Sequence, residues 1–146
     1  MFIHAYSGCD TTSRPYGMGK ATALLKVMRD ESLGKCADVF TNITSTKAEV
    51  VDAGDLTMRL LTGGTESESL AVHRFKEYKR RVLKGNTAVS PEFLPPTSGA
   101  TEQHSLRVRH QIMSWSGVVE LPAEEYGWYL ISKSRRSLCG GPAGGL

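Results

Sequence analysis

Asp10 stands seven residues ahead of Gly17 in this chain, and Gly17-Met18-Gly19-Lys20 opens an apolar-periodic segment from Ala21 to Met28. The two glycines permit positive φ and let another molecule approach the backbone closely. A turn that opens a helix leaves N–H groups free, and those favour an anion. Lys20 adds a point charge suited to phosphate. Asp10 adds a carboxylate of the kind that holds a hard divalent cation. The segment thus offers two parts used in phosphodiester chemistry, a metal ligand and a phosphate cradle. A plainer reading uses the same residues. The quartet lacks P-loop spacing, and no full dinucleotide fingerprint is present. Asp10 serves equally as an N-cap or Asx-turn residue, with Thr11, Thr12 and Ser13 as alternatives.

Cleavage of a phosphodiester by two metals needs several carboxylates converging on ions about 4 Å apart. Asp30, Asp38, Asp52, Asp55, Glu102, Glu124 and Glu125 sit in segments without metal-binding spacing. A lone carboxylate binds Mg²⁺ weakly, because the ion keeps its waters unless substrate phosphates assist. Weak Mg²⁺ binding through Asp10, no other cofactor, and no competent nuclease from this chain alone are therefore expected. Cys9, Cys36 and Cys139 are too few and too scattered for a disulfide framework or a zinc site. His104 lies on an apolar face and reads as a packing histidine. His110, six residues on, falls on another face. His4 is near enough to Asp10 in sequence to share its pocket, or to serve packing.

Cations concentrate elsewhere. Arg74, Lys76, Lys79, Arg80, Arg81 and Lys84 fall within eleven residues, with Glu77 the one acidic residue among them. Such a run is either a solvated helix face or a patch that neutralises phosphates. Lys79, Arg80 and Arg81 are its candidate DNA contacts. Trp115, Tyr126 and Trp128 could stack on bases, but their helical spacing beside Leu121 reads as core.

The run from His4 to Ser13, including Gly8-Cys9-Asp10, followed by Gly17-Met18-Gly19-Lys20, resembles a block in a family of uncharacterised, mostly invertebrate, mobile-element-associated proteins. That block is similar to the Gly-Cys-Asp and Gly-x-Gly segment of the flap endonuclease superfamily, whose catalytic domain is PIN-like. The resemblance implies that Asp10 matches a metal-binding carboxylate, here a vestigial catalytic candidate. It implies that Gly17, Gly19 and Lys20 match a helix–three-turn–helix element that holds the duplex backbone. Arg14, in the same loop, joins them as a candidate DNA contact. A second block resembles the region after the nuclease-like part: Leu94-Pro95-Pro96-Thr97-Ser98, His104 to Val108, Gln111, Trp115 and Tyr126-Gly127-Trp128. A weaker match from Leu61-Thr62-Gly63-Gly64 to Arg74-Phe75 joins the two. Family members carry a long region ahead of the Gly-Cys-Asp block, where the other carboxylates and the sheet would lie. They often end in a cysteine-rich tail, whereas Ser134 to Leu146 follows another pattern, as a truncation or frame change would give.

The elements that must position these residues read mainly as helix. The chain has 146 residues, 40% hydrophobic and 23% charged, with net charge +3, enough for one domain with a modest core. Ala21, Leu24, Leu25 and Met28 predict the inner face of a helix that Gly34 closes. Cys36 to Phe40 then forms a short separate segment. Thr46 with Glu49 predicts a capping box for a helix with Val50, Ala53, Leu56, Leu60 and Leu61 inside, weakened at Gly54. Thr65 or Ser67 caps a helix over 67–83 whose packed stripe is Ala71, Phe75, Tyr78 and Val82. Ala100, His104, Val108, Ile112 and Trp115 share one face of a helix over 98–116. An aromatic segment, 122–131, packs back on it.

The expected organisation is a small helical bundle. Its parts are a helix–three-turn–helix-like portion over 1–85, a Pro-rich loop over 86–96, a helical and aromatic extension over 97–131, and a disordered tail over 132–146. No apolar run approaches a membrane span and Phe2-Ile3 is too short for a secretory core, so no membrane partner and a reducing nuclear or cytoplasmic compartment are expected. The leading functional expectation is a fragment of a PIN-like, flap-endonuclease-related protein. It would bind duplex DNA backbone without sequence specificity, because phosphate contacts position but do not specify. The alternatives are a helical protein-interaction module and a non-functional gene fragment.

Overall fold

A computed structural model of the chain describes residues 1–9, 12, 15, 17–85, 88–117, 120–131 and 134–137, with only the backbone at 130–131 and 134–137. The described chain is mainly helical, as its periodicity predicts. Its α-helices are α1 (Phe2–Tyr6), α2 (Lys20–Arg29), α3 (Glu31–Thr41), α4 (Lys47–Leu61), α5 (Leu70–Leu83) and α6 (Ser98–Ser116). An antiparallel pair follows, β1 (Trp128–Ile131) and β2 (Ser134–Ser137), with Trp128 opposite Ser137 and Ile131 opposite Ser134. The β-favouring run of β1 therefore has a backbone partner at 134–137, where composition predicts a disordered tail. Residues 138–146 lie outside the described residues.

Local chemistry explains most boundaries. The Thr46 capping box forms as expected, its hydroxyl accepting from the Glu49 N–H while Glu49 accepts from the Thr46 N–H. Asp30 ends α2 with an extended ψ of 114° and caps α3, its carboxylate accepting from the N–H groups of Ser32 and Leu33. Gly34, expected as a stop, therefore lies inside α3, as do Cys36 to Phe40. The cap of α5 is Ser69, which accepts from the Val72 N–H. Thr65 instead donates its N–H to Glu68 in the preceding loop.

The core forms around α6, which is buried on nearly every side from His104 to Met113. At its crossing with α4, a Cβ on Gly54 would lie 1.8 Å from Ser105 Oγ and 2.6 Å from Ser105 Cβ. Gly54 is thus the contact point of the two helices rather than a weak spot. The buried Tyr6 hydroxyl donates to the Gly54 carbonyl at 2.6 Å, locking α1 across the crossing. His104 Nε2 donates to the Tyr6 carbonyl at 2.9 Å, so this histidine does pack as expected. Arg109, 4% exposed, donates to the Phe40 and Asn42 carbonyls at 2.6 and 2.7 Å and so caps α3. The 120–128 connection returns to α6 at Gly127, which has a φ of +80° and where a Cβ would come within 2.8 Å of the Gln103 carbonyl.

Two predicted inner faces lie outside. Leu24, Leu25 and Met28 of α2 are 50%, 52% and 74% exposed, and Ala23 and Val27 pack instead. On α5, Ala71, Phe75, Tyr78 and Val82 face solvent while Leu70 and His73 are buried. Trp115 also leaves its expected face and stacks on His4, ring centres 5.4 Å apart. The cause is α6. It fills the bundle centre with apolar and mostly hydrogen-bonded polar side chains together, takes up the inner faces of α1, α3 and α4, and leaves α2 and α5 at the rim.

Gly54→Ala is expected to destabilise the protein by about 1–3 kcal/mol in urea unfolding, despite alanine's better helix propensity, because the crossing has no room. Adding Ser105→Gly, which removes both clashing atoms, should recover part of that loss. A second expectation concerns pH. Burial, opposed by the Tyr6 hydrogen bond and aided by Arg107, pulls the His104 imidazole from its ordinary value near 6.5 down to about 4. The unfolded chain binds that proton first, so stability is full above pH 6.5 and is lost as pH falls toward 4. About 3 kcal/mol is at stake. His104→Phe should flatten the slope of unfolding free energy across that window.

Candidate nucleic-acid interface

The glycine loop and the basic helix meet in one cleft. Gly17 and Met18, the α4 end at Thr62-Gly63, and Glu77, Arg80 and Arg81 line it together, around a volume of about 250 Å³. Gly17 takes a left-handed φ of +74°, the conformation that glycine supplies without strain. Met18 inserts into the core, 4% exposed, and its N–H donates to the Pro15 carbonyl at 3.3 Å, which pins the loop. Thr12 anchors the other side, its buried hydroxyl donating to the Ala5 carbonyl at 2.6 Å. Gly19 is the N-cap of α2, with φ −80°, ψ 139° and no side-chain cap. Gly19 itself therefore supplies no side-chain acceptor to the first-turn amides of α2. Gly17 and Lys20 are exposed, Gly19 is half-buried and Met18 is sealed.

Around the cleft the cations are held in different ways. Arg80 pairs with Glu77 at 2.7 Å and holds that carboxyl below its usual range. Arg81 is half-buried, and its Nε is buried without a hydrogen-bond partner among the described residues. Lys26, which sequence reading left out, donates to the Leu61 and Leu60 carbonyls at 2.9 and 3.4 Å and also lines the cleft. A cation at the end of α4 follows from its free carbonyls, but which lysine reaches them is a tertiary fact. Arg74 ties α5 to the loop before α6 by donating to the Pro95 carbonyl.

The predicted residues divide accordingly. Gly17, Arg80 and Arg81 share the cleft. Gly19 and Lys20 follow along the same loop but do not line it. Lys20 Nζ donates to His4 Nδ1 at 3.0 Å, so His4 orients the lysine while stacking on Trp115. Lys79 points elsewhere, its Nζ 5.7 Å from the centre of the Phe75 ring. Asp10 and Arg14 lie outside the described residues. Among the described residues, no three His, Cys, Asp or Glu side chains gather to hold a metal ion.

One constellation had no signal in the sequence. Thr62 Oγ1 lies 3.0 Å from His73 Nε2, and His73 Nδ1 lies 3.5 Å from Glu68, which also pairs with Lys76. The order hydroxyl, imidazole, carboxylate suits nucleophile activation. Here the Thr62 proton is committed to the Met58 carbonyl at 2.7 Å, so His73 serves as the donor to the hydroxyl. The group works as a latch that holds the start of α5 on the end of α4. A larger cleft of about 730 Å³ lies beside Leu25, Leu33 and Leu60, but its charged rim mixes Lys26 and Arg29 with Asp30 and Glu31. Like the Gly17 cleft with its Glu77 it holds both signs, but it carries no residue of the glycine loop.

The chain matches no protein-family model, no curated protein and no solved structure. Among the described residues no helix is long and apolar enough to cross a membrane.

The two loop glycines should respond differently to a methyl group. Gly17→Ala is expected to lose about 1 kcal/mol through its positive φ, although a Cβ there meets nothing within 4 Å. Gly19→Ala meets no steric obstacle, because its backbone is extended and its Cβ would meet only Thr22 Oγ1 at 3.9 Å, and should lose on melting only glycine's N-cap preference over alanine, a few tenths to about 1 kcal/mol.

Proposed function

We propose that this chain grips the sugar–phosphate backbone of duplex DNA without reading its sequence, as a remnant of a PIN-like, flap-endonuclease-related protein. The observation that carries the reading is the cleft that Gly17 lines together with Arg80 and Arg81, more than sixty residues apart in the chain. A phosphate seated there would meet the Arg81 guanidinium and Arg80, with Lys26 behind them. Its neighbour along the strand would meet the open first turn of α2 and Lys20. Backbone contacts of this kind give register and affinity but no base readout. Asp10 would add at most a weak Mg²⁺ contact shared with phosphate oxygens, and binding rather than cleavage is the activity assigned to this chain.

The test is fluorescence anisotropy with two short duplexes of unrelated sequence. Both should bind alike. If about three phosphates are neutralised, affinity should fall roughly forty-fold between about 50 and 200 mM salt. Arg80→Glu with Arg81→Glu is expected to weaken binding at least tenfold, and Lys20→Glu severalfold, with circular dichroism unchanged. Equal affinity of the double variant and the parent would overturn the reading.

A further inference from the structure

The Gly17 cleft carries spare hydrogen-bond donors and a surplus of positive charge. Arg81 donates no hydrogen bond among the described residues, and its Nε is buried. Such a buried donor is costly until an acceptor meets it. Arg80 commits Nε and Nη2 to Glu77, which leaves Nη1. Of the described residues that line the cleft, Lys26, Arg80 and Arg81 are positive and Glu77 is negative, a surplus of two charges. In the larger cleft Lys26 and Arg29 are cancelled by Asp30 and Glu31.

These features choose among phosphates. An internal phosphodiester brings one negative charge, whereas a phosphate monoester brings close to two at neutral pH, with three acceptor oxygens. The monoester matches the surplus and can take the Arg81 fork together with Arg80 Nη1. Size and lining agree. At about 250 Å³ the cleft is smaller than the roughly 300 Å³ at which small-molecule pockets begin. Leu61, Leu94 and Pro95 line it beside the cations, and Phe93, 38% exposed, joins them. A strand running through would press a second charged phosphate against that apolar lining, at a cost in desolvation. A strand that stops there sets only sugar or base against it. We infer that the cleft seats the terminal phosphate monoester of a nucleic-acid strand, so that phosphorylated ends bind in preference to the interior of a duplex. The inference rests on the backbone-gripping reading, in which the next phosphate along the strand meets the first turn of α2 and Lys20.

The probe is one internally labelled duplex prepared with 5′-phosphate, 3′-phosphate or hydroxyl ends, titrated with the full chain in fluorescence anisotropy. At least one phosphorylated form should bind about tenfold tighter than the hydroxyl form, the gain from one added charge-assisted site. The form that gains identifies which strand end enters. Arg81→Lys keeps the charge but loses the fork, and should bring that ratio below about threefold. Lys20→Glu should weaken every form alike and keep the ratio. A nucleoside monophosphate should displace the phosphorylated duplex only in large excess, because it lacks the neighbouring phosphate. Displacement at equal concentration would overturn the inference in favour of a free nucleotide. Displacement by a phosphotyrosine peptide at equal concentration would overturn it in favour of a phosphorylated protein. Equal binding of phosphate- and hydroxyl-ended duplexes, or a preference untouched by Arg81→Lys, would overturn the inference and leave the backbone grip standing. Failure of every form to bind would overturn both.

Discussion

The approach of α4 to α6 at Gly54 is the constraint on which the bundle depends. With no side chain at that position, Ser105 sits directly against the α4 backbone, and Tyr6 can reach over both to bond the Gly54 carbonyl. Close packing of this kind brings α6 deep enough that its polar residues lose water too. Most of them then find a partner inside. His104 takes the Tyr6 carbonyl, Ser105 the Thr101 carbonyl, and Arg109 the last carbonyls of α3. The charged guanidinium is stabilised there because it meets the negative end of a helix. One absent side chain and a handful of directed hydrogen bonds thus fix the centre alongside the apolar cluster of Phe2, Leu33, Phe40, Met58 and Ile112.

What sits at the rim follows from what sits at the centre. Once α6 has consumed the inner surfaces of α1, α3 and α4, the remaining helices have little left to cover them. Helix α5 keeps only its first turn and one edge on the body, and the latch of Thr62, His73 and Glu68 supplements that thin attachment. The same edge carries Arg81 toward Gly17, so the placement of the cleft and the exposure of the outer stripe have one origin.

Sequence reasoning reached the helices more easily than their neighbours. The Thr46 box and the helix over 98–116 were legible because their signals are local: a cap, a period, a stop. The Asp30 boundary was missed because that residue both ends one helix and starts the next, and Gly34 offered a more familiar stop. Apolar stripes on α2 and α5 were visible as stripes, but periodicity does not say what a stripe packs against. Nor does a binary pattern register buried arginine and histidine, so α6 looked one-sided while it is central. For the candidate site, the glycine loop and the basic run could each be singled out alone. Their meeting, and the place of Lys26 between them, depended on the tertiary path of α4 and α5.

Lys26 has a double attachment whose effect extends beyond the cleft. Its ammonium holds the last carbonyls of α4 while forming part of the cleft wall. An anion that drew the ammonium toward itself would uncap the helix that carries Gly54, and a frayed end there would loosen the grip on His73. Occupancy of the cleft and the seating of α5 are therefore energetically linked through a single amine, so filling one surface would be felt at the other.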